Sequence, residues 1–158
     1  ILILGKAISG GVFPVSAVLA DDNVMLCIQP GEHGSTFGGN PLACVVAKKA
    51  LEVVIEEDLA NNANVLGERF RNGMNSLISK TDLVEKVRGK GLLNAIIIND
   101  SPESTTAYDI CLALRDNGLL AKPTHGNIIR FAPPLVINEK QMDECISIIE
   151  STILNFKR

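Results

Sequence analysis

Two consecutive stretches of helical periodicity dominate the first half of the chain, and little precedes them that could cover their apolar faces. Asn40 can cap a helix whose first residue is Pro41, because its side chain accepts from orphan amides and proline needs no amide partner there. Leu42, Val45, Val46, Ala50, Val53 and Val54 then recur at i, i+3, i+4 spacing as far as about Glu57. A second helix follows Asp58, with Leu59, Ala63, Leu66, Phe70, Met74 and Leu77 on one face. Upstream, only Ile1 to Leu4 and Pro14 to Ala20 read as strands, both short and the first buried, and Asp21-Asp22 opens a short helix to about Ile28. Two short strands make too small a sheet for such helices. Residues 1–78 are therefore expected to be the end of something larger, and a first residue that is Ile inside an apolar run, rather than Met, gives the same expectation.

The texture changes after Ser79. Lys86-Val-Arg-Gly-Lys-Gly91 reads as a turn-rich approach to a clear strand, Leu92 to Ile98. A loop over Asn99 to Glu103 leads to a helix from Ser104 to Asn117, which Gly118 closes. Leu119 to Ala121 and Ile128 to Phe131 read as short strands. Asn138 to Phe156 is a last helix with Met142, Ile146, Ile149 and Ile153 on one face. Residues 79–158 thus predict a small α+β unit, a sheet with two covering helices.

Composition limits the partners. The chain is 46% hydrophobic with a net charge of only −3, which excludes disorder. Its 15 Lys+Arg stand against 18 Asp+Glu, so no general field draws it to nucleic acid or an anionic membrane. No apolar run nears the ~20 residues of a membrane-spanning helix. Cys27, Cys44, Cys111 and Cys145 are scattered with no C-x-x-C, which predicts reduced, buried thiols rather than bridges or a zinc site. Both cytosol, the first expectation, and mitochondrial matrix suit reduced thiols.

Three places can carry chemistry. Lys6 follows the first strand among Gly5, Ala7, Ser9, Gly10 and Gly11, small neighbours that leave room for a planar ring beside an amine. A carbonyl-bonding lysine fits there, as does a lysine that merely leaves the core at a strand end. No phosphate-binding P-loop is present, since Gly5-Lys6 neither ends a glycine loop nor precedes Ser or Thr. The stretch from Gly31 to Pro41 holds four glycines with Ser35 and Thr36 directly before a helix start. Its amides and hydroxyls and the positive helix end would suit a phosphate dianion, and a tight surface turn would use the same residues. His33 reads as a hydrogen-bonding loop residue. Arg130 shares a strand face with Ile128 and Ala132, where a guanidinium calls for a carboxylate, either of this protein or of a substrate. His125-Gly126 reads as a turn, and Gly89-Lys90-Gly91 is too short a motif to define a nucleotide site.

Taken together, these stretches resemble the class-III aminotransferases, α/β enzymes of fold type I that use pyridoxal 5'-phosphate. Leu4-Gly-Lys-Ala-Ile-Ser-Gly-Gly-Val-Phe-Pro-Val-Ser-Ala-Val-Leu19 looks like the family's cofactor-lysine segment, and Glu32-His-Gly-Ser-Thr-Phe-Gly-Gly-Asn-Pro-Leu42 like its phosphate loop. The resemblance covers nearly the whole chain. It implies that residues 1–78 end the large cofactor-binding domain and that 79–158 form the small carboxyl-terminal domain. It implies that Lys6 bonds to the cofactor and, once freed, moves the proton. It also implies that Ser35 and Thr36 hold the cofactor phosphate of a partner subunit, which makes the enzyme a homodimer with shared active sites. Arg130 resembles an arginine that pairs with a glutamate in one half-reaction and holds a keto acid's α-carboxylate in the other.

Three further segments look most like family members acting on L-ornithine and 2-oxoglutarate, which yield glutamate 5-semialdehyde and glutamate. These are Val87-Arg-Gly-Lys-Gly-Leu-Leu-Asn-Ala-Ile96, Asp116-Asn-Gly-Leu-Leu-Ala-Lys-Pro-Thr-His-Gly126 and Ile128-Ile-Arg-Phe-Ala-Pro-Pro-Leu135. Members acting on acetylornithine or 4-aminobutyrate are the first rival, and a short non-catalytic interaction subunit is the second. The family's partners for the pyridine nitrogen, for the ring face and for Arg130 have no match in these residues. The 158 residues alone are therefore expected to be inactive.

Overall fold

The computed structural model describes residues 1–157 and divides the chain into two compact units, Ile1–Asp58 and a second beginning at Leu59. The sequence reading draws its boundary twenty residues later. The difference lies in the helix over residues 59–78, whose apolar face packs on the sheet that follows it in the chain.

In the first unit, β1 (Leu2–Leu4) pairs antiparallel with β2 (Ala17–Leu19), with Ile3 opposite Val18. A 3-10 turn over Lys6–Ser9 and a one-turn helix, α1 (Asp22–Met25), flank β2. The first strand is not buried as expected: Ile1 is 82% and Ile3 75% exposed, because among the described residues β1 and β2 form a sheet of only two strands. The helix α2 (Pro41–Glu56) buries only Ala43 and Ala47 fully, while Leu42 and Val45 stay exposed. Its apolar girdle is wider than the surface that the 3-10 turn covers.

The second unit is a four-stranded antiparallel sheet in the order β3-β4-β6-β5, covered on one face by three helices. Its elements are α3 (Leu59–Ile78), β3 (Val84–Lys90), β4 (Leu93–Ile98), α4 (Thr106–Asp116), β5 (Lys122–Thr124), β6 (Ile128–Phe131) and α5 (Glu139–Asn155). Helix α3 lies over β3 and β4, α4 over β5 and β6, and α5 packs against both helices. Leu66, Met74 and Leu77 of α3, Ile96 and Ile98 of β4, Ile110 and Leu114 of α4, Ile129 of β6 and Ile149 of α5 are almost fully buried in one core. Burying each such side chain stabilises by about 1.5–3 kcal/mol before chain entropy is counted. Phe70 and Phe131 meet in a tilted ring pair, centroids 5.3 Å apart.

Two strands differ from the sequence reading. Residues 84–90 form a full edge strand, not a turn-rich approach; only Val84 and Val87 point inward, with a register shift between them, so charge and glycine mask the alternation. The strand expected at Leu119–Ala121 begins at Lys122 instead. Leu119 is drawn into closing α4, its amide donating to the Leu114 carbonyl and that of Gly118 to Arg115, with Gly118 at φ 88. This paired closure uses up the otherwise orphaned last carbonyls of the helix. At the start of α5, Asn138 and Gln141 cap each other reciprocally, each side-chain oxygen accepting from the other's amide. Among the described residues no helix is long and apolar enough to cross a membrane.

Candidate active site

Lys6 opens the 3-10 turn at φ 52, a left-handed conformation rare for a long side chain. Its backbone is held from both sides. The Ser9 hydroxyl donates to the Lys6 carbonyl at 2.7 Å, Ser9 Oγ accepts from the Gly11 amide at 3.1 Å, and Gly10 closes the turn at φ 59. Backbone strain of this kind costs about 1–3 kcal/mol and persists where the surroundings over-determine it, often at functional positions. Gly10 also stands where a Cβ would lie 3.2 Å from that of Ala50 on α2, so small residues let the turn rest on the helix. Lys6, Ser9, Gly11, Val12, Phe13, Pro14 and Val15 line an open cavity of about 370 Å³. Lys6 itself is exposed.

The loop before α2 is built by local polar ties. Glu32 Oε2 accepts from the Gln29 amide at 2.7 Å, which turns the loop's only carboxylate back towards its base. Ser35 Oγ accepts from the Gly38 amide at 3.0 Å, and Gly39 takes φ 68. Asn40 Oδ1 accepts from Leu42 and Ala43 at 2.9 and 3.2 Å. That cap corrects one expectation: the first amides of α2 are occupied by Asn40, so the helix end offers an anion its dipole more than its hydrogen-bond donors. Thr36 is exposed, and its hydroxyl has no hydrogen bond among the described residues. The donor set left for an anion is the Thr36 hydroxyl, the Ser35 proton and the loop amides, with the carboxylate tied away. This fits a phosphate. His33 is exposed and makes no side-chain hydrogen bond among the described residues.

Arg130 lies on β6 facing away from the core, while Ile129 and Phe131 on either side point into it. Its register neighbours are Ala95 on β4 and Lys122 on β5. Among the described residues Arg130 makes neither an ion pair nor a side-chain hydrogen bond, so the reading of it as an internal structural pair finds no carboxylate here. Ser35 and Thr36 share one loop, Lys6 stands on a separate turn of the same unit, and Arg130 belongs to the second unit. The sequence reading overlooked Arg88 and Lys122, which share the sheet face of Arg130. The alternation of Lys86, Arg88 and Lys90 was the available signal, hidden by the turn-like glycines between them.

Comparison with known proteins gives this arrangement its relatives. Residues 1–153 match the family model described as aminotransferase class-III. A protein of Drosophila melanogaster named "Ornithine aminotransferase, mitochondrial" is 64% identical over 155 residues, 98% of this chain and 35% of that protein. Its namesake in Rattus norvegicus is 60% identical over 156 residues, 99% of this chain and 35% of that protein. Among solved structures, the acetylornithine aminotransferase from Elizabethkingia anophelis superposes with a TM-score of 0.94 at 67% identity, covering 98% of this chain and 40% of that one. The ornithine δ-aminotransferase of Plasmodium falciparum gives 0.89 at 46% identity, covering 98% and 39%. The chain therefore spans about 35% of the length of the curated relatives it matches. It belongs to the class-III aminotransferase family.

Proposed function

We propose that these residues are the carboxyl-terminal portion of an enzyme that transfers the δ-amino group of L-ornithine to 2-oxoglutarate, giving glutamate 5-semialdehyde and glutamate. The observation that carries the reading is Lys6, held at φ 52 by a turn of small residues beside an open cavity. The names of relatives at 60–64% identity supply the substrate. Residues 1–58 would serve the large cofactor-binding domain, and the second unit the small domain.

Pyridoxal 5'-phosphate, when bound, supplies an electron sink that lets a proton leave the carbon bearing the amine. Lys6 would hold it covalently and, when free, would accept that proton on Nζ and return it. The Thr36 and Ser35 hydroxyls would hold its phosphate in the partner subunit of a homodimer. Arg130 would grip the α-carboxylate of the keto acid with its planar fork. On this reading the 158 residues alone turn over no substrate. Two relatives carry "mitochondrial" in their names, which supports the matrix over the cytosol.

A second reading rests on the 67% identical Elizabethkingia structure, whose title names acetylornithine. The two readings differ in the amine. The full-length enzyme should be assayed with ornithine, acetylornithine and 4-aminobutyrate. Borohydride reduction and peptide mapping should then place the pyridoxyl label. Preference for ornithine with label on Lys6 is expected. Preference for acetylornithine would transfer the assignment to the second reading, and label on Lys90 or Lys122 would overturn the role of Lys6.

A further inference from the structure

The register of the second unit places Arg88 of β3, Ala95 of β4, Arg130 of β6 and Lys122 of β5 in one row straight across the sheet. The adjacent row is Lys86, Ile97, Ile128 and Thr124. Both rows point away from the helices, since the row between them, with Ile96 and Ile129 fully buried, faces the core. Every charged residue in these two rows is a cation, in a chain whose net charge is −3. Arg88, Lys122 and Arg130 are all exposed, and none makes an ion pair or side-chain hydrogen bond among the described residues.

Lys122 sits directly opposite Arg130. Directly opposed side chains on antiparallel strands have their Cβ atoms about 4.5–5.5 Å apart, and like charges so placed destabilise a sheet. Nothing in the fold of this unit calls for a lysine there, since the residue is exposed and packs in no core. The repulsion is relieved when an anion joins the row. A single carboxylate opposite Arg130 leaves the row cationic, because Arg88 and Lys122 remain.

We propose that Arg88 and Lys122 flank Arg130 as a cationic row that sets substrate preference, drawing in the dianionic keto acid and opposing the amine substrate. The substrate names rest on the function proposed above. At neutral pH 2-oxoglutarate carries two negative charges, whereas ornithine, with two ammonium groups and one carboxylate, is a net cation. A field of one sign therefore acts on the two half-reactions in opposite directions. Lys122 is the specificity-determining residue, being the cation nearest to Arg130 in register, with no side-chain bond among the described residues.

The test uses the full-length enzyme and its Lys122→Gln, Lys122→Arg and Arg88→Gln variants. At low ionic strength Lys122→Gln should raise KM for 2-oxoglutarate by roughly fivefold while lowering KM for ornithine. Lys122→Arg should restore both, and added salt should shrink the difference by screening. Lys122→Gln should also melt at a higher temperature, because it removes a like-charge pair; a scaffold role predicts a lower one. Arg88→Gln should shift both KM values in the same directions, less strongly. KM values that move together, or that stay within twofold of the parent, would overturn the proposal. Glutarate, a dicarboxylate with no reacting carbonyl, separates this inference from the reading beneath it. If its calorimetric affinity depends on Lys122 and ornithine is not turned over, the row stands and the assigned reaction falls. If ornithine is turned over and glutarate affinity is indifferent to Lys122, the row falls and the reaction stands.

Discussion

The α-carbon of Gly67 on α3 abuts the carbonyl of Gly91 in the β3-β4 turn so closely that a Cβ on Gly67 would stand 1.8 Å from that oxygen. This contact lets α3 lie against the β3-β4 turn. The neighbouring Arg71 reinforces it, donating from Nη1 to the Gly91 carbonyl at 3.1 Å and to Asn94 Oδ1 at 3.0 Å.

Gly67→Ala opposes two effects. Alanine favours the helix by about 1 kcal/mol. The added methyl would strike backbone, which cannot swing aside as a side chain can, and overpacking of that kind costs about 1–3 kcal/mol or more. Net destabilisation is expected, seen as a lowered urea midpoint. A raised midpoint would mean that α3 shifts freely over the turn.

Asn94 is 3% exposed, and its side chain both donates to Gly91 at 3.0 Å and accepts from Arg71. Asn94→Ala removes both of these bonds, one of them to a charged guanidinium, while Arg71 and the Gly91 carbonyl keep the bond between themselves, and it should cost about 1–3 kcal/mol. Chemical denaturation of the variant beside its parent measures it. A loss no larger than that of an exposed asparagine would refute the account.

Asn40 and Thr36 should separate folding from binding within one loop. Asn40→Ala removes the cap of α2 and should cost about 1 kcal/mol of stability. The Thr36 hydroxyl makes no hydrogen bond among the described residues, so Thr36→Ala should leave the melting temperature of the cofactor-free enzyme unchanged. Pyridoxal phosphate affinity should fall roughly 10- to 100-fold, the equivalent of about 1.5–3 kcal/mol for a bond to a charged group. Spectroscopic titration of the full-length variants tests both, and unchanged affinity in Thr36→Ala would remove it from the site.

Arg130→Lys keeps the charge and loses the two-pronged fork. Single-turnover kinetics should show the 2-oxoglutarate half-reaction slowed tenfold or more, about 1.4 kcal/mol per tenfold. The ornithine half-reaction should suffer less. Equal losses in both halves together with a lowered melting point would return Arg130 to the scaffold.

Burial in the core of the second unit pushes the Cys111 thiol up to about 11. The folded state therefore holds this proton to a higher pH than the unfolded state does. The associated stability is complete below the ordinary thiol value near 9 and is lost as pH rises through about 11. The difference in urea midpoint between the parent and Cys111→Ala should shrink over that interval and stay constant between pH 6 and 8. Alkylation of Cys111 should also lag behind that of the exposed Cys27. Equal alkylation rates would show that the core opens readily.

The helices were legible because their signals are local. Asn40-Pro41, Asn138 with Gln141 and Gly118 mark helix ends through bonds made within a few residues, and the stripes of α3 and α5 bury where their periodicity says. Lys6, the Ser35-Thr36 loop and Arg130 stood out for the same reason, as unusual residues in short, unusual surroundings. Tertiary structure alone decided what depends on pairing across the chain. β3 went unread because an edge strand needs little apolar alternation once β4 supplies its hydrogen bonds. The compact units divide at Asp58 because the face of α3 has its complement on β3 and β4, beyond it in sequence. The row of Arg88, Arg130 and Lys122 joins residues up to 42 positions apart, and only the register of four strands sets them side by side.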